Sequence, residues 1–271
     1  MTNATATVHT VDVPGATVHY EVRGSGPLLL LLGAPMAAAE FAPLADALAD
    51  HHTVVTTDPR GVSASVVADP EQDSTPELRA DDAVAILDDL GAATADVFGS
   101  SGGAVTGLAL VARHPGRVRT LVAHEPPLLT LLPDAAEQLA GTHDLVATFR
   151  THGLGAAWAK FMGSAGFDPD EQAPGTAEPS EQDLANGAHF FGHEILGTVQ
   201  HAPDVATLTG GPARIVVGVG ADSQALVTYR TSTALAELLG TEPAEFPGDH
   251  AGFMGQPTEF ADALRRVLPT A

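Results

Sequence analysis

Gly99-Ser100-Ser101-Gly102-Gly103 sets a serine hydroxyl between glycines two residues to either side, where the apolar run 95–98 passes directly into the helix-like run 102–113. A serine on so tight a strand-to-helix turn takes strained backbone angles, and the flanking glycines let strand and helix approach without Cβ clashes. The chemistry this suits is nucleophilic attack by Ser101. Ser100 fails the spacing, because its preceding partner would be Phe98, and it reads as a packing or supporting residue. A serine hydroxyl is a poor nucleophile near neutrality and needs a positioned base, which in turn needs an acid to fix its tautomer. The histidine is His250, in Gly248-Asp249-His250-Ala251-Gly252-Phe253. The preferred acid is Asp222, which ends Gly218-Val219-Gly220-Ala221-Asp222, a loop at the carboxyl end of a strand where sites gather. Glu125, in His124-Glu125-Pro126-Pro127 at the end of another strand, competes for the same role.

These residues need a scaffold that brings three loops together. Residues 7–13 and 16–22 alternate about Pro14-Gly15 and predict an antiparallel hairpin at a sheet edge. Residues 27–32 and 53–57 are continuous apolar or β-branched runs around a helix-like stretch, 37–49, which is the pattern of buried parallel strands with a crossover helix. Helical stretch 76–90, strand 95–98, helix 102–113 and strand 118–124 continue the alternation. It resumes with strand 213–220, helix 228–239 and strand 243–247. Between Glu125 and Gly210 it stops, and helical pieces surround an acidic Pro/Gly stretch that includes Asp168, Pro169, Asp170, Glu171, Pro174 and Gly175. The expected division is a core of residues 1–124 and 211–271 with residues 125–210 inserted as a helical cap, the acidic stretch forming a loop over the pocket.

In this order and spacing, the elbow, the two carboxyl-terminal loops, the turn Asp58-Pro59-Arg60-Gly61 and the loop Leu32-Gly33-Ala34-Pro35 resemble the α/β-hydrolase superfamily over nearly the whole chain. The resemblance implies an α/β fold with an eight-stranded, mostly parallel sheet and the chain order Ser, Asp, His for the catalytic residues. It also implies an oxyanion hole made by the backbone amides of Ala34 and Gly102, the latter aided by the positive end of its helix. The family's common His-Gly is here Leu32-Gly33, so a side chain that often braces that loop is absent. The expected reaction is hydrolysis of a carboxylic ester or lactone through an acyl-enzyme on Ser101. A cofactor-free lyase, cyclase or perhydrolase on the same triad is the alternative, and a non-catalytic ligand receptor the third reading. Dehalogenation is disfavoured, because related dehalogenases carry a carboxylate at the elbow.

Composition narrows the partners. A formal net charge of −22, with Lys160 the single lysine, argues against nucleic acid and points to a small, neutral or cationic molecule as substrate. The chain contains no cysteine, and neither His193-Glu194 nor His124-Glu125 completes an H-E-x-x-H zinc signature, so the expectation is no metal and no cofactor. No apolar run nears the ~20 residues of a membrane-spanning helix. The amino terminus lacks a basic patch and an apolar h-region, so the reading is a cytoplasmic monomer or homodimer without a membrane partner. Ala188-His189-Phe190-Phe191-Gly192-His193-Glu194 puts two histidines on one helical face, with His193 the candidate polar contact in the pocket and Met36 a second candidate pocket residue.

Overall fold

The structure, a computed structural model, describes residues 5–165 and 178–269. The acidic residues Asp168 to Gly175, read above as a loop over the pocket, lie outside the described residues. Among the described residues nine strands form one sheet: β1 (Thr7–Val13), β2 (Ala16–Gly24), β3 (Leu28–Leu32), β4 (Thr53–Thr57), β5 (Val66–Val67), β6 (Ala95–Ser100), β7 (Val118–His124), β8 (Arg214–Gly220) and β9 (Ala244–Phe246). Eight of them follow the order β1-β2-β4-β3-β6-β7-β8-β9, and the two-residue β5 pairs with β2 as the addition to the expected eight. The β1–β2, β2–β4 and β2–β5 pairs are antiparallel, and every pair from β4 to β9 along that order is parallel.

The helices are α1 (Ala38–Leu48), α2 (Pro76–Asp89), α3 (Gly102–Arg113), α4 (Ala135–His152), α5 (Leu154–Ala165), α6 (Glu181–His189), α7 (Ile195–Val199), α8 (Val205–Gly210), α9 (Val227–Leu239), α10 (Gly252–Gly255) and α11 (Pro257–Val267). A 3-10 turn at Leu129–Leu131 and a π-helical turn at Phe190–Glu194 complete the segment between β7 and β8.

Successive residues of β3 explain the layering. Leu30 and Leu32 join one core with Val97, Leu121, Ile86 of α2 and Leu108 of α3. Leu29 and Leu31 join the other with Phe98, Phe41 and Leu44 of α1, and Phe260 and Leu264 of α11. A strand buried on both faces must be apolar at every position, which is why β3 reads as five consecutive leucines. A third apolar cluster, with Leu129, Leu145, Phe190, Phe191 and Ile195, belongs to the segment between β7 and β8. No described helix is long and apolar enough to cross a membrane.

Candidate active site

The elbow follows from β6 and α3. Ser101 stands at φ 55° and ψ −125°, in the N-cap position of α3, yet its side chain makes no capping hydrogen bond. Its backbone N–H donates to His124 O at 2.9 Å, which ties the turn to β7. A methyl at Gly103 would run into the Leu32 carbonyl, and one at Gly99 into the carbonyl of Gly103, so both flanking glycines are required by close approach. Ser100, read as a packing or supporting residue, is fully buried, its Oγ 3.2 Å from His124 Nδ1.

His250, in the loop after β9, directs Nδ1 at Glu125 Oε2 at 2.5 Å. Glu125 follows β7 directly and holds φ 51°, a left-handed angle unusual for a side chain of its size. Its carboxylate is buried and also accepts the Gly220 N–H at 2.9 Å and the Thr228 hydroxyl at 3.0 Å. Burial by itself would push this carboxyl up, but the hydrogen bond from His250 and the charge of the facing imidazole outweigh it and hold Glu125 well below the ordinary carboxylate range. Glu125 therefore stays ionised at neutral pH.

The loop after β3 lies against the elbow: a Cβ on Gly102 would come within 2.6 Å of Ala34 O. Asp58, at the end of β4, fastens this loop from behind. Its buried carboxylate accepts Ala38 N at 2.8 Å and Ala64 N at 3.0 Å, fixing the start of α1. Arg60 pairs with Asp82 through two buried hydrogen bonds of 2.8 and 2.5 Å, and Gly61 leaves room for the ring of His189. The turn Asp58-Pro59-Arg60-Gly61 is thus where β4, α1, α2 and α6 are joined.

Ser101, Gly102, Ala34 and His250 all border one cavity of about 420 Å³. Its walls are mainly apolar, with Met36, Leu145, Trp158, Phe161 and Phe190 prominent among them. A family model for the alpha/beta hydrolase fold matches residues 26–186. The chain belongs to the α/β-hydrolase family. Among curated relatives, it is 39% identical over 268 residues to the uncharacterized hydrolase YraK of Bacillus subtilis, covering 96% of this chain and 95% of that protein. It is 29% identical over 260 residues to a zearalenone hydrolase of Cladophialophora bantiana, covering 94% and 93%. Among solved structures, a thermophilic esterase from Thermogutta terrifontis superposes with a TM-score of 0.76 at 21% identity, over 97% of each chain.

Within this α/β-hydrolase the structure corrects the choice of acid. Asp222 is exposed in the loop after β8, its backbone N–H donating to Gly248 O at 3.0 Å, and the carboxylate at His250 Nδ1 is that of Glu125. The register explains the exchange. Ser100 pairs with His124 and His124 with Gly218, so the residues that follow β6 and β7, Ser101 and Glu125, leave adjacent strands at the same level. His193, expected in the pocket, instead places Nδ1 3.2 Å from Asp73 and is absent from the cavity wall. Met36 does line the cavity. Sequence reasoning missed Thr228, which holds the second oxygen of Glu125, and Asp58, which the quoted turn contains but whose two backbone acceptor bonds no spacing announces.

Proposed function

We propose that this chain is a serine esterase or lactonase acting on a small, largely apolar substrate. The observation that supports it most is the hydrogen bond between His250 and buried, ionised Glu125, with His250 and the strained Ser101 on the same apolar cavity. With Nδ1–H donated to Glu125, Nε2 of His250 acts as the base. It takes the Ser101 proton as Oγ attacks the ester carbonyl, and Glu125 stabilises the imidazolium that forms. The backbone N–H groups of Gly102 and Ala34 take the developing oxyanion, the first at the positive end of α3. The imidazolium returns its proton to the leaving alkoxide, and water, deprotonated by the same nitrogen, releases the acid from Ser101.

The segment of residues 125–210 serves as a cap, a reading supported by Trp158, Phe161 and Phe190 from its described part, which line the cavity together with Ser101. An apolar enclosure keeps bulk water from the acyl-enzyme and strengthens the electrostatics inside it. The names of two similar proteins, a zearalenone hydrolase and an esterase, agree with this class of reaction. The test is labelling with a fluorophosphonate, followed by peptide mapping. A phosphonyl adduct on Ser101 is expected, and its absence from protein that binds the probe's parent ester moves the reading to proton-transfer chemistry without a covalent step.

A further inference from the structure

Several hydroxyl groups line the Ser101 cavity besides the nucleophile. Thr142 donates to Gln138 O at 3.2 Å, Thr228 to Glu125 at 3.0 Å and Ser164 to Phe161 O at 3.0 Å, so each has already placed its hydrogen. Thr198 differs. Its Oγ1 accepts from Arg79 Nη2 at 2.9 Å, and among the described residues no acceptor takes its own hydrogen. Thr198 is buried, 4% exposed, on the short helix α7 that follows the π-helical turn.

Arg79 is itself 4% exposed and permanently cationic. Its other two nitrogens are also engaged: Nε donates to Thr106 Oγ1 at 2.9 Å, and Nη1 to the Ser74 carbonyl and, at 3.3 Å, to the Ser74 hydroxyl. Thr106 bonds in turn to Gly102 O at 3.1 Å, so the guanidinium is locked behind the cavity wall by α3. A hydroxyl that accepts from a fixed cation must point its hydrogen away from that cation, and the charge polarises the O–H into a stronger donor. Thr198 borders the cavity, and a hydrogen directed away from Arg79 there is within the reach of a ligand oxygen.

Resting on the esterase reading, we propose that Thr198 is a specificity-determining residue. It receives a neutral acceptor oxygen, a ketone or ether carried on the otherwise apolar acyl or alkoxy group of the substrate, away from the scissile carbonyl. A neutral oxygen fits better than a carboxylate, because the surrounding wall is mainly apolar and would leave a buried anion without a direct partner. A plain alkyl chain in the same place leaves the hydroxyl unpaired, which is the stronger basis for discrimination.

The experiment uses two ester series, p-nitrophenyl octanoates and octyl acetates, in which each chain methylene, except those one or two carbons from the ester group, is replaced in turn by a carbonyl. In at least one series, one oxygenated member should exceed the plain ester in kcat/KM. Thr198→Val should cut that ratio about three- to tenfold while Thr198→Ser preserves it. Where the esters are turned over, a ratio that survives Thr198→Val, or no preferred oxygenated member in either series, overturns the proposal. Calorimetric binding of the same esters to Ser101→Ala protein makes the comparison without turnover. Equal affinity for plain and oxygenated members there sinks the Thr198 assignment. Failure to hydrolyse any ester, with the binding preference intact, sinks the esterase reading and leaves Thr198 standing.

Discussion

Glu125 carries the argument at the residue scale, because it combines a left-handed backbone angle, complete burial and three donors on one carboxylate. Strain of that kind persists only where the surroundings over-determine it, and here the surroundings fix the tautomer of His250. Replacing Glu125 with Gln should lower kcat on a p-nitrophenyl ester by roughly 10²- to 10⁴-fold, since a neutral amide neither orients nor compensates the imidazolium. Asp222→Asn, at an exposed position, should change kcat less than about threefold. Steady-state kinetics of the two variants decide it, and a larger loss from Asp222→Asn would remove Glu125 from the mechanism. Ser101→Ala should abolish turnover almost entirely with an unchanged circular dichroism spectrum.

At the scale of elements, the site depends on four loops meeting at the carboxyl ends of β3, β6, β7 and β9. Asp58 controls the first of them through two charge-assisted bonds to backbone N–H groups. Asparagine keeps one acceptor oxygen, so Asp58→Asn should cost about 1–3 kcal/mol in thermal or urea unfolding. It should also lower kcat more than it raises KM, because the loop that bears Ala34 loses its anchor. Equal stability and unchanged kcat would show that the loop is held by its packing alone. The elbow tolerates less, since a Gly103→Ala methyl meets backbone at Leu32 rather than a flexible side chain. That variant should lose several kcal/mol of stability or fail to accumulate in soluble form.

The whole molecule should respond to pH through its buried titratable groups. Burial pushes His124 and His189 down from 6.5 to about 4, and pushes Glu194 up from 4.5 to about 7 with Arg79 opposing. Between 6.5 and about 4 the unfolded chain binds the histidine protons more readily, so those two groups withdraw stability as pH falls, on the order of 3 kcal/mol for His124. Glu194 acts in the other direction: from 4.5 to about 7 the folded chain holds its proton more tightly, and stability declines as pH rises. Two histidines against one carboxyl leave a net loss toward acid. Glu194→Gln removes the opposing contribution, so its melting temperature should fall more steeply than that of the parent between about pH 7 and about pH 4.5. Parallel curves for the two proteins would mean that Glu194 is ionised throughout.

How much of this was legible in the chain follows from the range over which each feature is encoded. The hairpin, the five leucines of β3, the strand-to-helix turn at Ser101 and the loop of His250 are local patterns, set by side-chain periodicity and glycine placement within a few residues. They are enough to place Ser101, the proposed nucleophile, and His250 on the fold. The acid is not local. Asp222 and Glu125 both follow a strand and both stand in plausible order, and only the level at which β7 and β8 end decides between them. That register buries Glu125 beside His250 and leaves Asp222 exposed past the carboxyl end of β8. The same holds for Thr198 and Arg79, 119 positions apart, whose contact exists because the segment between β7 and β8 folds back over α2 and α3. Hydrogen bonds between residues so distant in sequence carry no signature in spacing, and tertiary packing alone assigns them.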